Sequence, residues 1–456
     1  MMTQDPHVLT NNYRPLPGVY DELMDEEGNV RKKYKFLVKS FQELGPAELI
    51  NRRRDADRIL RENGVTYNIY QSDSPEAKER PWNLDLFPLI MESDEWRVLE
   101  RGLNQRADLL DSLLRDLYSK RRILYEKKIP PELLYNASSF LRACEGMYDS
   151  NHFLAKNPAL LFFVCDIIRA ADGNFYVLND RVQAPSGSGY SLENRIVLSR
   201  IFPSMYRDAM VHRVAMYFRS LRKALPQQAG ITSREPVIVL LTPGPSNETY
   251  FEHAYLAGYL GYTLVQGEDL TVRRNKVFMK TVEGLQQVDL ILRRVDDLFM
   301  DPLELKGDSL LGVPGLLEAI RSGNVKVANP IGSSFLENRA LLPFYSELCK
   351  FYLGEDLILP MAPTYWLGKK EDLNRVMETP EKYVFKTVSR DDELEPVTFM
   401  ELSGERKDTF LKLLSVEPKR FIAQEMIASA TVPFLTENGF RPGREIMRTF
   451  VTSSGN

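Results

Sequence analysis

The chain has 456 residues, 43% of them hydrophobic and 27% charged, with 59 Lys and Arg against 63 Asp and Glu for a net charge of −4. This is globular composition with material for two or three domains, and the even mixing of charge signs excludes a basic nucleic-acid or anionic-membrane binder. The N-terminal MMTQDPHVLTNNYRPLPG has no leader pattern and no run approaches the roughly 18 apolar residues of a membrane span, so a cytoplasmic protein is expected. Cys144, Cys165 and Cys349 share no CxxC spacing, which reads as buried, reduced thiols. His7, His152, His212 and His253 include no pair at metal-ligand spacing, and GxSxG, Walker A and GxGxxG patterns are absent.

Residues 1–75 read as helical and charged. Pro46, Ala47, Leu49 and Ile50 open a segment that stops at Gly64, with Arg52, Arg53 and Arg54 on a solvated face. Apolar residues at three- and four-residue spacing predict a second helix over Glu95–Leu124. The stretch Phe140–Arg142 then leads to VCDIIRAADGNFYVLNDRVQAPSGSGYSLENR, the most informative segment of the chain. Asp172-Gly173 between two apolar runs is a hairpin signal. A two-residue turn there sets Asp166 opposite Asn179, with Arg181 two residues on and all three on one face. A one-residue slip would instead face Asp166 with Asp180 or Leu178. The loop Pro185, Ser186, Gly187, Ser188 and Gly189 offers backbone N–H groups to an anion, although a solvated hairpin tip with a flexible connector has the same composition. A helix over Leu198–Leu225 follows.

From residue 235 the texture changes. PVIVLLTPGP is a strand ending in a turn, NETYFEHAYLAGYLG a helix closed by Gly261, YTLVQG a strand, VFMKTVEGL a hairpin-like pair, VDLILRRVDD a strand and VPGLLEAIRSG a helix running into the strand NVKVANP. Alternating strands and helices predict a parallel, Rossmann-like sheet, with a ligand site beyond the carboxyl ends of its strands. There stand Thr242, Pro243, Gly244, Pro245 and Asn247, then Arg293, Arg294, Asp296 and Asp297, then Asn329. The last region returns to α+β character. TPEKYVFKTV carries Lys386 among apolar neighbours, where an ammonium is costly unless paired or bound to an anion, or lies on the surface over its own stem. KRFIAQEMI ends in Gln424 and Glu425, and REIMRTFV carries Arg444 and Arg448. A lysine on one strand beside a Gln-Glu pair on another suits a nucleotide cleft.

Taken together, ENGVTYNIY, APSGSGYSLENR, LTPGPSNETYFEHAYLA, VDLILRRVDD with DPLEL, DSLLGVPGLLEAIRSGNVKVANPIGS and IAQEMI resemble the circularly permuted ATP-grasp family, of the type related to glutathionylspermidine synthase and more distantly to glutathione synthetase. The resemblance implies a mixed α/β and α+β permuted ATP-grasp fold with an inserted Rossmann-like parallel-sheet domain. It divides the chain into a helical N-terminal extension (1–75), a metal-bearing half (76–229), the Rossmann-like domain (230–345) and a lysine-bearing lid half (346–456). It further implies ATP and Mg²⁺ as cofactors, small-molecule or peptide carboxylate and amine substrates, and neither nucleic acid nor membrane as partner. By motif position Lys386, Gln424, Glu425, Ser186 and Gly187 would hold the nucleotide, and Asp166, Asn179 and Asp180 the metal. Arg293, Arg181 and Arg448 would serve catalysis, and Asn247, Arg294, Asp296 and Asn329 the substrate.

Two positions depart from the family pattern. Where active members carry Glu-x-Asn at the end of the second hairpin strand, this chain has Asn179 and Arg181, and the stretch after Lys386 contains no glycine. An ATP-dependent ligase and a nucleotide-binding scaffold with a degenerate metal site are therefore both carried forward. A Rossmann oxidoreductase is disfavoured because the glycine fingerprint is missing.

Overall fold

The computed structural model describes residues 10, 13–68, 79–147, 158–390, 392 and 394–453; His7 and His152 lie outside them. A helix over Lys32–Glu62 is broken at Gly45, whose φ of 74° precedes Pro46, and ends before Gly64 at φ 67°, so the glycine and proline punctuation reads correctly. Of the three arginines expected on a solvated face only Arg54 is exposed; the half-buried Arg52 and Arg53 guanidiniums donate to the Ile201 and Leu84 carbonyls. Strands β1 (Thr66–Asn68) and β2 (Glu79–Pro81) pair antiparallel. Tyr34, Phe41, Phe87, Tyr190, Phe202 and Phe440 bury against one another, so the N-terminal helix shares a core with residues far along the chain rather than lying on the surface.

The predicted helix over 95–124 is two helices, Ser93–Leu117 and Arg122–Tyr125, separated where Arg121 takes a left-handed φ of 52°. The predicted helix over 198–225 is replaced by three: Ser188–Ile201, Pro203–Asp208 and Ala215–Ala229. The Ser/Gly loop therefore runs straight into a helix N-terminus.

Strands β3 (Phe162–Arg169) and β4 (Phe175–Arg181) form the predicted hairpin. Its loop is one residue longer than the two-residue turn expected. Ala170 bonds Asn174, and Gly173 sits at φ 82°, the three-residue loop whose last residue must be left-handed. A bulge between Asp166 and Ile167 absorbs the extra residue, so Asp166 still faces Asn179 and Val164 faces Arg181.

Strands β5 (Ile238–Leu241), β6 (Thr263–Val265), β10 (Leu290–Arg293) and β11 (Lys326–Ala328) make the parallel sheet, in order β11-β10-β5-β6. An antiparallel meander, β7 (Leu270–Arg273), β8 (Lys276–Thr281) and β9 (Gly284–Gln287), is inserted ahead of β10. The buried runs Ile-Val-Leu-Leu and Leu-Ile-Leu-Arg are what a sheet covered on both faces requires.

A second antiparallel sheet holds β12 (Thr364–Trp366), β13 (Tyr383–Thr387), β14 (Val397–Thr398) and β15 (Phe421–Glu425) in order β12-β15-β13-β14. Tyr383, Phe385, Phe421 and Ala423 pack on Phe410 and Leu414 of the helix Gly404–Val416, which leaves the opposite face, with Lys386 and Gln424, turned toward the rest of the molecule. After the hairpin β16 (Val432–Thr436) and β17 (Gly439–Gly443), β18 (Met447–Thr452) pairs antiparallel with β3. Arg444 precedes that strand instead of lying on it. Cys144, Cys165 and Cys349 are free and buried.

Candidate nucleotide site

Strand β3 lies between β4 and β18, so Arg448, Asp166 and Asn179 form one cross-strand row. Asp166 is buried and engages two guanidiniums: Arg448 through Nε at 2.8 Å and Nη2 at 3.2 Å, and Arg181 through Nε at 2.9 Å. Burial pushes the Asp166 carboxyl up, but the Arg448 hydrogen bond and the Arg181 charge outweigh it and hold the group below the usual carboxylate range. The next residue is turned away. Asp180 faces Cys165 on the other side of the ribbon and makes a two-point pair with Arg106 at 2.6 and 2.7 Å. Asp180 therefore cannot join Asp166 around one cation.

The Ser/Gly loop is satisfied from within the chain. The fully buried Glu252 accepts from the Gly187 and Gly189 amides at 2.7 and 2.8 Å and from the Ser188 hydroxyl at 3.1 Å, while the Ser186 carbonyl accepts from Arg448. An internal carboxylate thus sits where the sequence suggested a bound phosphate, and Gly187 and Ser186 are committed to it and to Arg448.

On the second sheet Lys386 donates to Gln424 at 2.6 Å, and Gln424 donates to Thr364 at 3.1 Å. Burial, then the charge of Arg339, brings the Lys386 ammonium down to about 8. Arg339 is itself brought to about 10 by burial, then by Arg390 and Arg181, and its Nε is buried with no hydrogen-bond partner. Burial, then Arg390 and Arg448, likewise lower Arg181. The five cations thus form one electrostatically linked series from Lys386 to Arg448. Glu337 fixes it mid-way: its carboxylate takes the Val182 and Gln183 amides at 2.7 and 2.8 Å and Arg390 at 2.6 Å. Glu425, by contrast, lies on the face opposite Lys386, accepting from Tyr365 at 3.3 Å.

The strand-end residues of the parallel sheet divide sharply. Arg293 is fully buried, donating to the Asn329, Val295 and Pro330 carbonyls and the Ser333 hydroxyl and pairing with Asp297 at 2.5 Å. Asn329, also fully buried, takes the Leu161 and Phe162 amides and donates to the Phe162 and Val182 carbonyls. Asn329 thus ties the parallel sheet to β3, Arg293 holds together the segments that follow β10 and β11, and the polar atoms of both side chains are committed to protein groups. Asn247 caps its own turn through Thr249, Arg294 is buried against the Pro185 carbonyl, and Asp296 is exposed. Sequence reading missed Arg339, Arg390 and Glu337; the one available signal was Arg390 standing four residues past Lys386. It also missed Tyr67, whose hydroxyl donates to Glu248 and lies within the field of Arg448 and Arg181.

Mg²⁺ and a polyphosphate fit this site unequally. Among the described residues no group of three or more His, Cys, Asp or Glu could hold a metal. Both Asp166 oxygens already accept from arginine, Asn179 is neutral and Asp180 is turned away, so the donor set does not fit a divalent cation. An anion of several charges does fit five cations set against Asp166 and Glu337, with a buried guanidinium nitrogen still unmet.

Two antiparallel α+β units meeting along a cationic seam, beside a parallel α/β sheet, define the ATP-grasp class of fold. The chain belongs to the circularly permuted ATP-grasp type 2 family, which it matches over residues 88–456. An uncharacterized protein of Mycobacterium tuberculosis is 36% identical over 425 residues, which are 91% of this chain and 47% of the relative. An uncharacterized protein of Synechocystis is 33% identical over 443 residues, 96% of this chain and 90% of the relative. The chain thus spans about half the length of the first of these relatives. A glutathione synthetase-like effector from Globodera pallida, solved without ligand, superposes with a TM-score of 0.57 at 12% identity over 86% of this chain and 84% of its own, which is a likeness of fold. Among the described residues no helix is long and apolar enough to cross a membrane.

Proposed function

We propose that the chain is an ATP-dependent carboxylate–amine ligase, forming an amide or peptide-like bond. The observation that carries this reading is the linked series Lys386, Arg339, Arg390, Arg181 and Arg448 between the two antiparallel sheets of an ATP-grasp fold. In this reaction class bound ATP supplies the phosphoryl group that turns a substrate carboxylate into an acyl phosphate open to an amine. Lys386 and Arg339 would hold the phosphates nearest the second sheet, with Gln424 fixing the Lys386 ammonium. Arg390 and Arg181 would meet the far end of the chain of phosphates, where charge accumulates during transfer. Glu425, expected on the adenine or ribose side, is on the face of β15 turned away from Lys386, so its side chain has no part in this reading. Tyr67, bonded to Glu248 and within the field of Arg448 and Arg181, would be available to a second substrate.

The clamp on Asp166 favours a second reading, a nucleotide-binding scaffold without efficient phosphoryl transfer. The two separate on turnover. Phosphate release from ATP that rises with a particular carboxylate and amine pair supports the ligase. Tight nucleotide binding without stimulated release across a broad panel of pairs supports the scaffold. Both require Lys386→Ala to weaken the binding of a non-hydrolysable ATP analogue by about tenfold or more; unchanged binding refutes the site.

A further inference from the structure

We infer that Arg181, held in place by Asp166, is a fixed cationic anchor for the ligand's polyphosphate, and that binding there proceeds without a divalent cation on Asp166. The inference rests on the nucleotide reading above but concerns how the charge is neutralised. Three observations carry it. First, both Asp166 carboxylate oxygens are hydrogen-bonded by guanidiniums, so the carboxylate acts as a support for arginine, and a metal bound there would compete with both arginines for it. Second, the two arginines are spent differently. Arg448 uses Nε and Nη2 on Asp166 and Nη1 on the Ser186 carbonyl, whereas Arg181 uses Nε alone. Its two terminal nitrogens bond none of the described residues, and its side chain is 25% exposed. Third, Arg181 lies in the field of Arg390 and Arg448. A divalent ion at Asp166 would add two positive charges to that cluster and strip both arginines of their counter-ion. A polyphosphate there relieves the same repulsion. Asp166 is on this account a positioning residue, and Arg181 is the group that touches the ligand.

The test is calorimetric titration of the full chain with a non-hydrolysable ATP analogue and, separately, with inorganic tripolyphosphate, each in excess chelator and in millimolar Mg²⁺. The affinity for the analogue is expected to agree within about threefold between the two buffers. A loss in chelator of about thirtyfold or more that Mg²⁺ restores overturns the inference. Arg181→Met is expected to weaken binding by about tenfold in both buffers, with Arg181→Lys intermediate because an ammonium lacks the guanidinium's paired donors. Asp166→Asn, which keeps the shape of the side chain, is expected to weaken binding equally in both buffers; weakening confined to the Mg²⁺ buffer makes Asp166 a metal ligand and overturns the inference. If tripolyphosphate binds in chelator and the analogue does not, the anchor stands and the adenine-nucleotide reading falls. If neither probe binds in chelator, the anchor falls.

Discussion

Breaking the buried pair of Arg106 and Asp180 is the sharpest test of how the polar residues around β4 divide between structure and site. Their side chains are 0% and 2% exposed and joined by two hydrogen bonds, with the Arg106 guanidinium 4.6 Å from the Tyr345 ring centre. Arg106 Nη1 already lacks a partner, so no spare donor network exists to absorb a lost carboxylate. At a charge separation of about 4 Å and an effective dielectric of about 20 the attraction is about 4 kcal/mol, in line with the ~3–5 kcal/mol cost of removing one member of a buried pair. Asp180→Ala should therefore lower stability by about 3–5 kcal/mol. With an unfolding slope of about 3 kcal/mol per M urea, the midpoint followed by the fluorescence of Trp82, Trp96 and Trp366 falls by about 1–1.7 M. Replacing both residues by apolar side chains of similar volume, Arg106→Met with Asp180→Leu, should recover most of that loss, because the cost lies in the orphaned charge. A fall of less than about 0.3 M for Asp180→Ala, combined with loss of Mg²⁺ binding, would refute the reasoning and return Asp180 to the metal.

Three other outcomes follow from the same geometry. Asn329→Ala strips partners from two buried amides and two buried carbonyls; at about 1–3 kcal/mol for each unmet group it should cost about 3 kcal/mol or more in urea unfolding, whereas a substrate residue would change KM and leave the midpoint alone. Lys386 has its ammonium at about 8 instead of 10.5, so the free protein loses that charge as pH rises through 8. Binding of the ATP analogue should weaken from pH 7 to pH 9.5 and take up a proton near pH 8, visible when calorimetry is repeated in buffers of different ionisation enthalpy. Burial, then Glu22, pushes the Glu445 carboxyl from 4.5 to about 7. The folded state thus keeps a proton that the unfolded state releases between those values, and stability falls as pH rises through that window. Glu445→Gln should raise the urea midpoint at pH 8 and leave it unchanged at pH 4.5.

Local rules made much of this protein legible. Runs of apolar residues bounded by Gly and Pro mark the parallel strands, and Asp172-Gly173 marks the hairpin. Asp166 and Asn179 meet because they flank one turn, the longer loop and the bulge offsetting each other in register. Lys386 was noticeable because an ammonium among apolar neighbours needs a reason. The assignments drawn from strand ends fared differently. The buried Arg293 and Asn329 side chains are taken up by backbone groups, since buried carbonyls and amides must find partners wherever irregular segments meet.

What the sequence by itself determined is therefore the set of elements and the chemistry each can carry, because turns, periodicity and cross-hairpin pairs depend on residues close in the chain. Which charged groups meet was decided only by the tertiary structure. Arg448 reaches Asp166 across 282 positions because β18 pairs with β3, and Arg106 reaches Asp180 across 74 because a helix buries against the other face of that hairpin. Glu252 fills the Ser/Gly loop across 65. Each of these pairings settles whether a carboxylate serves a ligand or the fold, and such pairings over long separations are set by how the sheets and helices close on one another.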